Sequence, residues 1–143
     1  CWVELTVLLI PGQNDSEAEV TALAEWVVEA CGPDVPVHFT AFHPDYRMLD
    51  VPRTPVETLL RARTIAKGAG LRHVYVGNVH HEAAQSSYCA GCGTKVIGRD
   101  WYALSDWGLD DRGACVVCGT ALPGVFVGPP GTWGRRRQPV RLA

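Results

Sequence analysis

Apolar positions in this chain alternate between short continuous runs and helical spacing. Residues 4–10 end as an unbroken Val7-Leu8-Leu9-Ile10 stretch, the pattern of a strand buried on both faces of a parallel sheet. A turn follows at Pro11-Gly12-Gln13-Asn14, where Asn14 is placed to cap a helix with Glu17 three residues on. Val20, Leu23, Ala24, Val27 and Cys31 then share one helical face, and Gly32-Pro33 stops the helix, with Cys31 expected as a buried free thiol. Residues 35–42 read as a second strand, with Pro36 near its start, where a missing N–H is tolerated.

A polar connection from His43 to Arg53 leads to Thr54-Pro55-Val56-Glu57, which combines an N-cap, a proline at the first helical position and a capping glutamate. Val56, Leu59, Leu60 and Ala66 form the apolar face of this second helix. Gly68-Ala69-Gly70 ends it before a third strand, Leu71 to Val76. Strand, helix, strand, helix, strand implies right-handed parallel crossovers. Three strands and two helices make an incomplete layer, with one edge and one face of the sheet open. The fold class is therefore α/β, half of a (β/α) barrel or of a doubly wound sheet, and the missing half is expected upstream. The chain opens directly in a strand at Cys1, which is read as the sign of a longer protein.

From Gly77 on the periodicity fades and turns multiply. Three segments result: a βαβαβ unit over 1–80, a small module over 81–126, and a basic Pro/Gly/Arg tail over 127–143. Composition fits a folded globular protein, with 47% apolar and 20% charged residues in 143. Thirteen basic against fifteen acidic residues give a net charge of −2, which argues against nucleic acid and anionic membranes as partners. Arg135, Arg136, Arg137 and Arg141 all lie in the tail, which holds no acid, so only there does a basic patch form. No apolar run approaches the ~20 residues of a membrane span, and no signal segment opens the chain, so a cytoplasmic protein is expected.

Four of the six cysteines form two pairs with the same continuation, Cys89-Ala90-Gly91-Cys92-Gly93-Thr94 and Cys115-Val116-Val117-Cys118-Gly119-Thr120. In such knuckles a tight turn aims backbone N–H groups at the thiolates, and glycine after the second cysteine permits positive φ. The 22 residues between Cys92 and Cys115 leave room for a hairpin carrying Trp101, Tyr102, Trp107 and Leu109. The spacing predicts one tetrahedral site made by Cys89, Cys92, Cys115 and Cys118. Zinc is the expected metal and rubredoxin-like iron the alternative. Four thiolates leave no open position, so the metal is expected to hold a small module together rather than to catalyse.

In parallel α/β sheets ligands bind beyond the carboxyl ends of the strands. The candidates at that rim are Pro11, Gly12, Asn14 and Asp15 after the first strand, His43, Asp45 and Tyr46 after the second, and Asn78, His80 and His81 after the third.

These same loops carry a family resemblance. The run from Glu4 to Asp15, with its Ile-Pro-Gly-Gln-Asn-Asp turn, resembles a late-barrel strand and turn of radical S-adenosylmethionine (SAM) enzymes similar to pyruvate formate-lyase activating enzyme. His38 to Tyr46 resembles the next strand and its loop. With Gly77-Asn78-Val79-His80, the two knuckles and Trp133 to Arg137, nearly the whole chain resembles the C-terminal part of the radical SAM enzyme of the AmmeMemoRadiSam system. The resemblance implies the C-terminal half of a partial (β/α)6 barrel followed by a zinc-ribbon-like module. It also implies a [4Fe–4S] cluster at which SAM is cleaved to a 5′-deoxyadenosyl radical that abstracts hydrogen from a substrate. By the same analogy His43 contacts SAM, and Pro11 and Gly12 line its pocket.

The cluster would need Cys-x-x-x-Cys-x-x-Cys, and the register ending at Cys89 and Cys92 has Gln85 in the first position. The cluster ligands are therefore expected upstream, in the first half of the enzyme, and the chain alone is expected to be inactive. The partners implied are that upstream half and a protein substrate or partner protein. The competing expectation is a non-catalytic zinc-ribbon module that binds protein or nucleic acid.

Overall fold

The computed structural model describes residues 1–126, 130–132, 134 and 136. Three strands, β1 (Leu5–Leu9), β2 (Val37–Ala41) and β3 (Val74–Gly77), alternate with two helices, α1 (Glu17–Cys31) and α2 (Val56–Gly68). The strands form one parallel sheet in the order β1-β2-β3, with Val7 beside Phe39 and Phe39 beside Val76. Alternation along β2 sends Val37, Phe39 and Ala41 to one face, where they are buried with Val20, Ala24 and Val27 of α1 and Leu59, Ala62 and Ala66 of α2. Both helices thus cover the same face, as the crossover rule requires of successive right-handed βαβ units.

The opposite face holds Thr6, Leu8, His38, Thr40, Tyr75 and Gly77. It is not the second apolar face expected for a doubly buried strand: Thr6 and Leu8 are exposed, and β1 buries only one side. The Val-Leu-Leu-Ile run misled because Leu8 is apolar yet 43% exposed. Gly77 is needed on this face, since a Cβ there would lie 2.8 Å from Cγ2 of its cross-strand neighbour Thr40.

Three local expectations are corrected. The N-cap of α1 is Ser16, not Asn14: the Ser16 hydroxyl accepts from the Glu19 amide and donates to the Glu19 carboxylate, two residues downstream of the expected cap. Asn14 instead accepts from the Ile10 amide at 2.7 Å and donates to the Leu8 carbonyl at 3.0 Å, closing the turn that leaves β1. Thr54 does not cap α2 either, whose cap position is Pro55 without a side-chain bond. Buried at 2% exposure, Thr54 donates to the Leu9 carbonyl and accepts from the Phe42 amide, so its hydroxyl is spent on two strand ends. Finally, Cys31 is exposed, because α1 ends there and Gly32, at φ 91°, turns the chain away from the core.

Beyond β3 a short helix, α3 (Glu82–Gln85), leads into a second, antiparallel sheet: β4 (Ser87–Tyr88), β5 (Lys95–Asp100) and β6 (Ala103–Trp107), in that order. The β5–β6 hairpin is the excursion expected between the cysteine pairs. Its core is small, with Val96, Ile97, Leu109, Cys89 and Cys115 buried together. No helix among the described residues is long and apolar enough to cross a membrane. Of the basic tail, Arg136 is described, while Trp133, Arg135 and Arg137 to Ala143 lie outside the described residues.

Candidate functional site

The two knuckles fold as one motif repeated. In the first, the Gly93 amide donates to the Cys89 carbonyl at 2.9 Å and the Cys89 amide to the Thr94 carbonyl at 2.8 Å. In the second, Gly119 donates to Cys115 at 2.8 Å and Cys115 to Thr120 at 2.9 Å. Both glycines sit at φ 74°. The motifs pack against each other through Gly91, where a Cβ would come 3.1 Å from the Thr120 Cβ.

This brings all four predicted ligands together. The sulfurs of Cys89, Cys92, Cys115 and Cys118 lie within 4.8 Å of one another, with 3.5 Å from Cys89 to Cys118 and 3.8 Å from Cys92 to Cys115. Thiolates on a tetrahedron 2.3 Å from one ion would be separated by about 3.8 Å, so the sulfurs surround a volume that one ion fills. They are too close together to straddle a multi-iron cluster. Cys89 and Cys115 are buried and Cys92 and Cys118 exposed, an inner and an outer ligand from each knuckle.

The surroundings favour the thiolate at three of the four cysteines. Cys92 and Cys118 are held below the ordinary thiol range, first by the side chains and then by the amides of Thr94 and Thr120. Cys89 is lowered chiefly by the Cys92 amide. Cys115 moves up although the Val117 and Cys118 amides pull it down, because burial and the facing sulfurs of Cys92 and Cys89 oppose its ionisation. Crowded thiolates of this kind ask for a cation. Four cysteines that could hold a metal therefore stand as a structural finding.

At the carboxyl rim of the parallel sheet, most of the expected polar residues are already occupied by backbone. Asn14 closes the β1 turn, and Asn78, at φ 60°, donates to the Ala41 carbonyl while its own carbonyl accepts from Arg53. Asp15 accepts from the Gly12 amide and Asp45 from the Tyr46 amide. His81 caps α3 by accepting from the Ala84 amide, and His80 lies 3.2 Å from Asp100 and against the Trp101 ring. Pro11 is half-buried, Gly12 is exposed at φ 72°, and His43 is exposed one residue past Phe42, its Nδ1 2.8 Å from the Pro44 carbonyl. Pro11, Gly12 and His43 thus follow the ends of neighbouring strands.

A second feature was not anticipated from sequence. The open face of the parallel sheet and the β5–β6 hairpin enclose a cleft of about 750 Å³. On the sheet side, Glu4 bonds to His38 at 2.8 Å, His38 stacks on Tyr75 at 5.0 Å, and the Tyr75 hydroxyl meets the Ser87 hydroxyl at 2.8 Å. Burial pushes the Glu4 carboxyl up, but hydrogen bonds from Trp2 and His38 outweigh it and leave it below the carboxylate norm. Burial raises Tyr75. On the hairpin side stand Arg99 and Trp101. Gln85, which sequence reasoning weighed only as a missing cysteine, fixes the hairpin tip: its Oε1 accepts from the Trp101 amide at 2.9 Å and its Nε2 donates to the Val79 carbonyl at 2.6 Å. The alternation of polar residues His38-Phe39-Thr40 was the one available sign that this face carries chemistry.

The chain is 40% identical over 122 residues to the uncharacterized protein MJ0808 of Methanocaldococcus jannaschii, an alignment that covers 85% of this chain and 37% of the relative. The chain thus spans little more than a third of the length of the curated relative it matches. No protein-family model and no solved structure matches it.

Proposed function

We propose that the chain supplies strands four to six of a radical SAM partial barrel, followed by a structural zinc module. The observation that carries this reading is the asymmetry of the parallel sheet. Both helices lie on one face, while the other presents Thr6, His38, Thr40 and Tyr75. Such a face suits the lumen of a barrel, and the outer edge of β1, unpaired among the described residues, suits pairing with a preceding strand.

SAM, cleaved at a [4Fe–4S] cluster, would supply a 5′-deoxyadenosyl radical for hydrogen abstraction. The four paired cysteines lie close enough to share one ion, so the cluster ligands would come from the upstream half. In this chain, His43 offers an imidazole to SAM at the rim, and Pro11 and Gly12 shape the wall beside it. The ion among the four cysteines is zinc in a structural role, since four thiolates saturate it and leave no place for water. The acting protein would be cytoplasmic, and its substrate a protein or a small molecule.

Expression together with the preceding coding sequence tests the reading. After anaerobic reconstitution with iron and sulfide, reductant and SAM should yield 5′-deoxyadenosine. His43→Ala should weaken equilibrium binding of SAM while zinc content stays at one ion per chain. A preceding sequence without Cys-x-x-x-Cys-x-x-Cys, or a reconstituted protein that leaves SAM intact, would refute it.

A second reading, a zinc module that docks a partner protein, is favoured by Val116 and Val117, each 65% exposed in the loop of the second knuckle.

A further inference from the structure

The cleft between the parallel sheet and the β5–β6 hairpin has an unbalanced hydrogen-bonding inventory. Its carboxylate, Glu4, is already engaged by the Trp2 indole and by His38. Two of its hydroxyls, on Tyr75 and Ser87, are engaged with each other. The donors are not matched in this way. Arg99 has no carboxylate within ion-pair distance among the described residues, although its charge acts on both Glu4 and Tyr75 across the cleft. Two buried side-chain nitrogens lack a hydrogen bond among the described residues, Nε1 of Trp101 and Nε2 of His73, the latter with the Asp34 carboxylate 3.8 Å away. Both residues line this same cleft.

An indole N–H can only donate, and a guanidinium has five N–H groups and no acceptor. A buried donor is ordinarily paired, so the orphan Trp101 N–H beside this cavity marks the place where a partner is missing. The cleft is also large enough for a small molecule and has aromatic walls in Tyr75 and Trp101.

We infer that this cleft binds a ligand through an oxyanion, a carboxylate or a phosphate, held by the Arg99 guanidinium and the Trp101 indole N–H. Arg99 and Trp101 both belong to the cysteine module, so the metal centre has a part in recognition, because it fixes the hairpin that carries the anion anchor over the sheet. Gln85 positions Trp101, because the amide it binds belongs to that residue, at φ 54° in the hairpin turn. The inference deepens the radical SAM reading and rests on it for the identification of this ligand as substrate. Anion binding itself requires neither cluster nor SAM.

The test uses the 143-residue chain loaded with zinc and ¹⁵N-labelled, with the Trp101 indole resonance assigned from Trp101→Phe. Titration with inorganic phosphate and, separately, with acetate should move that resonance downfield along a saturable curve, and the tighter anion names the group. Arg99→Gln should weaken binding about tenfold or more, and Arg99→Lys should fall between it and the parent, since it keeps the charge but not the fork. Arg112→Gln, on an exposed arginine of the same module outside the cleft, should leave the curve unchanged. Zinc content and spectral dispersion check that each variant is folded. A Trp101 resonance that responds to neither anion, or equally in Arg99→Gln and the parent, overturns the inference. That result would leave SAM cleavage by the longer protein untouched, and failure of SAM cleavage would leave the anion site standing.

Discussion

Gly93 and Gly119 hold the same backbone conformation, φ 74°, at the same step of the two cysteine knuckles, each returning its amide to the carbonyl of the first cysteine. Neither has a heavy atom within 4 Å of where a Cβ would stand. The reason for glycine is therefore the left-handed backbone and not crowding. Gly93→Ala and Gly119→Ala should each weaken metal binding by about 1–2 kcal/mol, the cost of placing an L-residue there. The two losses should be similar, as read by zinc competition against a chromophoric chelator. A loss in one knuckle alone would mean that the repeat is not equivalent in function.

Metal removal should divide the molecule. The parallel unit has its own core, with Phe39, Leu59 and Ala66 fully buried, whereas the cysteine module buries few residues beyond its own ligands. With a strong chelator, amides of β5 and β6 should lose hydrogen-exchange protection while those of β1 to β3 keep theirs. Acid should act in the same direction. Protons compete with the metal for the four thiolates. Cys89, Cys92 and Cys118, held below the ordinary thiol value, each contribute stability that is lost as pH falls through the folded value, while Cys115, raised, contributes in the opposite sense. Uniform loss of protection across both sheets would refute the division.

The sequence made the parallel unit and the cysteine centre readable for the same reason, repetition at fixed spacing. Two βαβ steps and two Cys-x-x-Cys-Gly-Thr motifs each state their geometry twice. Single polar residues were less readable. Asn14 and Thr54 look like caps because each precedes a helix with a glutamate three residues on. Each is instead drawn to the end of a strand: Asn14 turns back to Leu8 and Ile10, and Thr54 reaches the Leu9 carbonyl, 45 residues away in sequence. The cleft was invisible because its two walls come from different sheets, and no local pattern relates Arg99 to Glu4.

Thr54 gives a direct stability test. Its hydroxyl satisfies the Leu9 carbonyl at 2.6 Å and the Phe42 amide at 2.8 Å where β1 and β2 end. Thr54→Val keeps the shape and removes both bonds, leaving a buried donor and acceptor unpaired. The loss should be about 1–3 kcal/mol in urea unfolding, and Thr54→Ser should restore most of it. A valine variant as stable as the parent would show that the two backbone groups find other partners.

His73 supplies a pH dependence separate from the thiols. It is 4% exposed just before β3, and burial lowers its pKa from the ordinary 6.5. The Asp34 carboxylate, 3.8 Å from Nε2, opposes that shift, and the charges of Arg72 and Lys67 add to it. Because the folded value is the lower one, the unfolded chain takes up the imidazole proton first as pH falls. Stability is therefore full above about 6.5 and declines below it until the folded ring also protonates. His73→Gln removes the titrating group and should flatten urea-unfolding stability in the window below the ordinary imidazole value. Asp34→Asn should steepen the decline, since it removes the one neighbour that favours the protonated ring. A parent protein whose stability does not change across that window, or a His73→Gln variant that keeps the slope, would assign the acid sensitivity to the cysteine module alone.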